Sequence, residues 1–268
     1  MSNSIKPAAL ILLIVLAAAV AACNGSPVVN ESDGGNSAAI SSNANSNGVV
    51  AGAASPVGTQ PQSLMYTLPA PRTDGETSVE EALASRRSHR QFEQTALSQE
   101  QISQILWSAY GVTYPGEGAF QRGGLRTAPS AGALYPLEIY IVIGNVDGID
   151  PGVYKYISED NIIELVVAGD IREELADAAL GQTMVRDAPA TVFFSAVFER
   201  TTERYGQRGT SFVYIEVGHS AQNVYLQAEA LGFGTCAIGA FTADRVRELL
   251  NLPENEEPLY LMPVGHKG

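Results

Sequence analysis

Apolar positions are distributed along this 268-residue chain in three distinct ways. They run unbroken from Ala8 to Ala22, become scarce from Asn24 to about Pro71, and thereafter recur with helix and strand periods. Within the periodic part, Ser78-Val79-Glu80-Glu81 and Ser98-Gln99-Glu100-Gln101 read as capping boxes, each opening a helix. Leu97 and Ile102 form a hydrophobic staple across the second box, and Ile102, Ile105, Leu106 and Ala109 continue at helical spacing. A Gly-rich loop follows from Gly111 to Gly124. Leu137 to Ile143 and Ala190 to Val197, rich in β-branched and aromatic residues, read as central strands. Val153–Tyr156 and Ile162–Val166 read as a hairpin pair around Glu159-Asp160-Asn161, with a short helix after it from about Ile171 to Leu180. The longest helix is expected from about Thr210 to Leu231. Its stripe of Val217, Ala221, Val224, Ala228 and Leu231, with Phe212, Ile215 and Tyr225 off the stripe, predicts burial on more than one side. Gly232 and Gly234 stop it. A strand through Ala237-Ile238, a helix capped at Thr242 and a last strand at about Leu259–Val264 complete the pattern. Strands interspersed with helices indicate α+β or α/β layers and exclude an all-β fold.

The two flanking patterns define the remaining organisation. The apolar run is shorter than the roughly 20 residues a permanent membrane helix needs, and it suits an export signal. It ends in Val20-Ala21-Ala22-Cys23, which resembles the lipobox of prokaryotic lipoproteins, where the peptidase cuts before a cysteine that then carries lipid. The expected organisation is a lipoprotein signal peptide over 1–22, a lipidated Cys23 followed by a disordered Ser/Asn/Gly/Ala-rich tether to residue 71, and a globular domain over 72–268. The tether lacks the apolar area to offset chain entropy. This arrangement implies an exported protein held on the outer face of the membrane.

A formal charge of −13 excludes non-specific binding to nucleic acid. Two cysteines give no disulfide framework, and three scattered histidines show no metal-ligand spacing, so no metal is expected. Against this acidic background, Arg86-Arg87-Ser88-His89-Arg90 is the one dense basic cluster. Arginine suits phosphate because its planar fork gives parallel charge-assisted hydrogen bonds, although a basic helix end also simply complements the helix dipole. Thr127 to Pro136 is built of small side chains that let a ligand approach the backbone, with Ser130 adding a hydroxyl. Leu231 to Phe241 places glycines around a short strand. Each of these last two also fits an ordinary tight turn. Cys236 reads as a small buried side chain, His219 as a packed or interface histidine, Trp107 as core, and Tyr135 as either packing or the border of a ligand pocket.

Taken together, the R-R-S-x-R segment after the first helix, Pro129-Ser130-Ala131-Gly132 before a strand, and L-G-x-G-T-x-x-I-G-x-F after a long helix carrying Gln222-Asn223 resemble the nitroreductase-like FMN flavoproteins. The run from Pro129 to Glu138 resembles most the subgroup of SagB-type dehydrogenases, some of which oxidise azoline rings in modified peptides. The resemblance covers about Thr77 to His266. It implies an α+β fold with a central mixed, mainly antiparallel sheet flanked by helices and the long helix in a homodimer interface. It implies FMN held at its phosphate, ribityl chain and pyrimidine edge by Arg86, Ser88 and Arg90, with Arg87 nearby. Pro129, Ser130, Ala131 and Gly132 would line the flavin, often from the other subunit, and backbone amides of the Ile238, Gly239 and Ala240 stretch would face the N5 side. No catalytic side chain is implied, because the flavin carries the chemistry. A ping-pong cycle follows, with NADH or NADPH as reductant and a small-molecule or peptide partner. Two alternatives stand beside it: an exported flavin-binding or interaction lipoprotein without turnover, against which the intact Arg86, Ser88 and Arg90 count, and an azoline-type peptide-tailoring dehydrogenase. Family members commonly have a basic phosphate contact beyond the last strand, for which Lys267 is the candidate here.

Overall fold

The computed structural model describes residues 64–116 and 124–268. In chain order the elements are β1 (Met65–Thr67), α1 (Val79–Ser85), α2 (Gln99–Tyr110), β2 (Val112–Tyr114), β3 (Leu125–Arg126), β4 (Leu137–Ile143), β5 (Gly152–Ile157) and β6 (Ile162–Ala168). Then come α3 (Arg172–Ala178), α4 (Thr183–Asp187), β7 (Ala190–Ala196), α5 (Glu199–Tyr205), α6 (Arg208–Ala230), β8 (Phe233–Thr235), α7 (Ala243–Leu249) and β9 (Glu257–His266).

Seven strands form one sheet in the order β1-β6-β5-β4-β7-β9-β8, and each ladder between these described strands is antiparallel. β4 is apolar at nearly every position because both faces of the sheet are covered. Ile139, Ile141 and Ile143, with Val192 and Phe194 of β7, join the core that α2 and α6 close. Tyr140, Val142 and Phe193 face the opposite core, closed by α3, α4 and α7. The domain is therefore a helix–sheet–helix sandwich, the α+β architecture expected. Among the described residues no helix is long and apolar enough to cross a membrane.

Local signals explain where the helices begin. At Ser98 both halves of the capping box form: Gln101 N donates to Ser98 Oγ at 3.3 Å and Ser98 N donates to Gln101 Oε1 at 2.8 Å. At Ser78 only the forward bond, Glu81 N to Ser78 Oγ at 3.1 Å, is present among the described residues. The hairpin turns at Asn161 in the left-handed region, φ 51°, a conformation asparagine tolerates.

Three expectations shift. The fold begins before Arg72: β1 pairs with β6, Leu68 is buried, and Pro69 O accepts from Ser103 Oγ at 2.5 Å and Asn161 Nδ2 at 2.9 Å. The strand expected at Ala237-Ile238 lies earlier, at β8, because the turn at Gly232 (φ 76°) delivers the chain at once to the end of β9, while Ile238 makes one isolated bridge to Leu261. The Gly-rich loop contributes a small β2–β3 ribbon, its residues 117–123 lying outside the described residues. The signal peptide, Cys23 and nearly all of the tether also lie outside them.

Candidate functional site

The basic segment leaves α1 at Arg86 and runs beside β8 and the end of β9. His89 N donates to Thr235 O at 2.9 Å, Glu93 N to His266 O at 3.1 Å, and Phe92 bridges Lys267. Gly234 permits this approach: a Cβ there would lie 2.6 Å from His89 Cβ. Tyr225 of α6 ties the segment to the Gly-rich turn. Its ring lies under the Arg86 guanidinium at 5.1 Å, and its hydroxyl shares a hydrogen bond with Ser88 Oγ at 3.1 Å and accepts from Ala237 N at 2.8 Å. One tyrosine thus organises parts of two motifs that lie far apart in sequence.

The members of the cluster differ in what they can offer a ligand. Arg87 folds back onto α1, donating to Ala84 O at 3.1 Å and Arg86 O at 2.8 Å, the helix-end role. Arg90 and Ser88 are exposed and Arg86 is half-buried. Among the described residues no carboxylate lies within salt-bridge distance of Arg86, Arg87 or Arg90. Lys267, by contrast, is paired with Glu229 of α6 at 2.9 Å. In the Gly-rich turn, Gly239 and Ala240 are exposed, but Ile238 is buried with its N–H and C=O both committed to Leu261 (2.8 and 3.0 Å), so it presents no amide at the surface. Cys236 is buried beside it, and His219 is exposed on α6.

The Pro129–Gly132 segment stands elsewhere on α6. A short 3-10 turn over Ala131–Ala133 places Gly132, Ala133 and Tyr135 in the left-handed region, φ 64°, 52° and 47°. For Ala133 and Tyr135 that conformation costs energy and must be held from outside. Tyr135 N donates to Ser130 Oγ at 2.9 Å, Arg200 Nη1 to Tyr135 O at 3.2 Å, and Asn223 Nδ2 of α6 to Thr127 O at 3.2 Å. A Cβ on Gly132 would come within 2.7 Å of Tyr205 Oη and 3.0 Å of Arg204 Nη1, so the end of α5 abuts this segment.

Beneath it lies a carboxylate that the sequence reading passed over. Glu216, 2% exposed, accepts from Tyr110 Oη of α2. Burial pushes its carboxyl up to about 7, while Tyr110, Ser130, the Arg126 charge and the Ala131 amide pull it back. Burial likewise pushes the Tyr110 hydroxyl up, so it stays protonated and able to donate. The Arg126 guanidinium lies 4.6 Å over the Tyr110 ring and 5.1 Å over that of Tyr135.

Beside these rings is a cavity of about 310 Å³ whose wall includes Tyr110, Arg126, Tyr135, Glu138 and Arg200. A groove of about 780 Å³ runs between the start of the domain, α2 and α6; Trp107, expected in the core, is half-buried on its wall. About 14 Å of α6 separate Glu216 from Tyr225 at 1.5 Å per residue. Within one chain, then, Tyr225 joins the first and third motifs, whereas among the described residues no hydrogen bond or ion pair joins Pro129–Gly132 to either.

A sandwiched antiparallel sheet, a long helix that pins three separated motifs, and guanidiniums without carboxylate partners among the described residues define an α+β protein with a candidate ligand site. The nitroreductase family model matches residues 83–266, and the chain belongs to that family. It is similar to a nitroreductase-named protein of Methanocaldococcus jannaschii, with 46% identity over 72% of this chain and 92% of that one. It also resembles the NADPH-flavin oxidoreductase of Vibrio harveyi, 33% identical over 38% of this chain and 45% of that one. The microcin B17-processing protein of Escherichia coli is 25% identical over 59% of this chain and 58% of that one. Among solved structures, a Ralstonia eutropha protein titled as a nitroreductase superposes with a TM-score of 0.65 at 30% identity, covering 76% of this chain and 90% of that one.

Proposed function

We propose that the chain is an FMN-dependent oxidoreductase of the SagB-type dehydrogenase subgroup, working as a homodimer and held outside the cell by lipid on Cys23. One observation carries the flavin reading: in a molecule of formal charge −13, Arg86 and Arg90 meet no carboxylate among the described residues, and Tyr225 beneath Arg86 also binds Ala237 N, where the stretch that exposes Gly239 and Ala240 begins. These residues fit a phosphate-bearing ring cofactor. Arg86, stacked on Tyr225, and Arg90 hold the phosphate and pyrimidine edge; Ser88, oriented by Tyr225, hydrogen-bonds the ribityl chain; the main chain at Gly239 and Ala240 borders the ring. When bound, FMN supplies the two-electron chemistry, accepting hydride at N5. The protein's part is to orient that ring, exclude water and place cations where negative charge develops.

The dimer reading draws on the family, on the separation of Pro129–Gly132 from the basic cluster, and on Tyr214 and Ile215 of α6, which are 56% and 54% exposed. A two-fold pairing through this helix lets one chain's Pro129, Ser130, Ala131 and Gly132 complete the site of the other. NADH or NADPH is the proposed reductant, in line with the name of the Vibrio relative. A second reading, a peptide-tailoring dehydrogenase that oxidises azoline rings, is favoured by the Escherichia relative. Turnover of an azoline-bearing peptide by the flavin-loaded protein separates the two.

Detergent-solubilised full-length protein, stripped of flavin and titrated with FMN, tests the site. Replacing Arg86 and Arg90 together by Ala is expected to weaken binding at least tenfold, the scale of a lost charge-assisted hydrogen bond of about 1.5–3 kcal/mol. Unchanged affinity overturns the assignment. For the anchor, Cys23→Ser is expected to move the protein out of the membrane fraction or block its processing; normal membrane retention with normal processing contradicts it.

A further inference from the structure

Tyr225 lies off the apolar stripe of α6 and is half-buried, and its hydroxyl has two partners among the described residues. A phenol has one proton to give and lone pairs to receive. Ala237 N–H, at 2.8 Å, takes up the receiving side. The bond to Ser88 Oγ, at 3.1 Å, has a geometry that either oxygen satisfies as donor. If Ser88 donated, the Tyr225 oxygen would receive two protons, and its own proton would have no protein acceptor among the described residues. With the phenol donating, each hydrogen in the row is used. The Arg86 guanidinium favours the same direction: 5.1 Å over the ring, it draws electron density from the phenol and makes the hydroxyl a better donor. Successive hydrogen bonds of one sense also polarise one another.

We propose that Tyr225 is a positioning residue that sets the polarity of the site. The row runs from Ala237 N–H to Tyr225 Oη and from the Tyr225 hydroxyl to Ser88 Oγ, and it leaves the Ser88 proton for an acceptor oxygen of the ligand. Ser88 is exposed and has no other hydrogen-bond partner among the described residues, so that proton is available. The inference rests on the flavin site proposed above, and goes beyond it in two respects. It makes Ser88 a donor, so that the flavin atom it meets is an oxygen that accepts, on the ribityl chain; a ligand N–H there would compete with the Tyr225 proton for the same Oγ. It also ties what Ser88 binds to the stretch leading to Gly239 and Ala240, through one hydroxyl.

The test is a double-mutant cycle on the FMN affinity of the detergent-solubilised full-length protein. Ser88→Ala and Tyr225→Phe are each expected to weaken binding roughly three- to tenfold, the scale of one hydrogen bond. Tyr225→Phe keeps a ring beneath Arg86, so the loss belongs to the hydroxyl and not to the stacked cation. The double variant is expected to bind little worse than the weaker of the two single ones, because without the phenol Ser88 is no longer held as a donor. Ser88→Thr keeps the hydroxyl and is expected to keep an affinity close to wild type, a rescue that packing at an exposed position would not give. The two Ser88 variants also keep the inference testable if Tyr225→Phe folds poorly. A wild type that binds no FMN overturns the functional reading itself. Where the wild type binds FMN, three results overturn this inference alone: losses that multiply in the double variant, a single change to Ala or Phe that costs nothing, or Ser88→Thr binding as weakly as Ser88→Ala.

Discussion

Glu216 and Glu256 are both carboxylates buried to within a few per cent of full exclusion, yet their surroundings differ in kind. Glu256 lies just before β9 among donors and a cation: Tyr140 Oη at 2.9 Å, Ser195 Oγ at 2.6 Å and Lys155 Nζ at 3.2 Å. Lys155 in turn reaches Glu138 at 3.0 Å, and Glu138 pairs with Arg200. The network joins β4, β5 and β7 across the sheet and reaches the Tyr135 carbonyl only at its outer end, through Arg200. Glu216 has no cation of its own within salt-bridge distance among the described residues, and burial dominates its titration. A compensated buried charge fastens secondary structure; an under-compensated one stays poised between two protonation states, as groups at functional sites often are. The first lies against the sheet, the second under the segment assigned to the flavin.

The contrast can be broken most severely at Glu256. Replacing it by Ala leaves Tyr140 Oη and Ser195 Oγ buried without their acceptor and strips Lys155 of one partner. A loss of about 3–5 kcal/mol of stability is expected in urea denaturation. FMN affinity of the protein that still folds is expected to stay near wild type; a parallel loss of affinity would erase the distinction.

A smaller effect is expected from Glu216→Gln, with a characteristic pH dependence. The folded-state carboxyl titrates at about 7, above the ordinary 4.5, so as pH rises the unfolded chain gives up this proton first. The wild type therefore loses stability relative to the variant between about pH 4.5 and 7, by roughly 3 kcal/mol at most. Denaturation midpoints measured across that window should converge or cross as pH rises; parallel curves would mean Glu216 titrates normally.

Smallest is Gly132→Ala, expected to cost about 1–3 kcal/mol. The new Cβ would need a left-handed backbone and would meet Tyr205 Oη at 2.7 Å. Because the strain falls on the segment rather than on the core, FMN affinity is expected to drop more than thermal stability does. Equal losses would place the segment with the structural half of the comparison.

What sequence reading could see divides along the same line. β4, the β5–β6 hairpin, α2 and α6 announce themselves because burial of one or both faces writes a period into the residues, and Ser98 with Gln101 marks its helix start by a bond that both side chains make. α5 does not: Glu-Arg-Thr-Thr-Glu-Arg-Tyr has no apolar period and takes its place by packing against α6 and the Gly132 turn. β1 was hidden because three edge residues, two of them exposed, carry too little pattern to stand out from a polar tether. In the site, Arg86, Ser88, Gly239 and Ala240 were visible as a motif, while Arg87 and Ile238 are committed within the fold by contacts that no motif encodes. Tyr225 could be read only as an apolar residue off the stripe, since its partners Ser88 and Ala237 are distant in the chain. Glu216 did leave a trace, an acid in line with Ser220 and Val224.

The flavin site is tested most directly by mixing flavin-stripped full-length protein with FMN, removing the unbound ligand, and recording the visible spectrum before and after anaerobic addition of NADPH or NADH. The expected result is a retained flavin spectrum that one of the two nucleotides bleaches. Protein that stays colourless after incubation with excess FMN would contradict the site assigned to Arg86, Ser88 and Arg90, and with it the proposed chemistry.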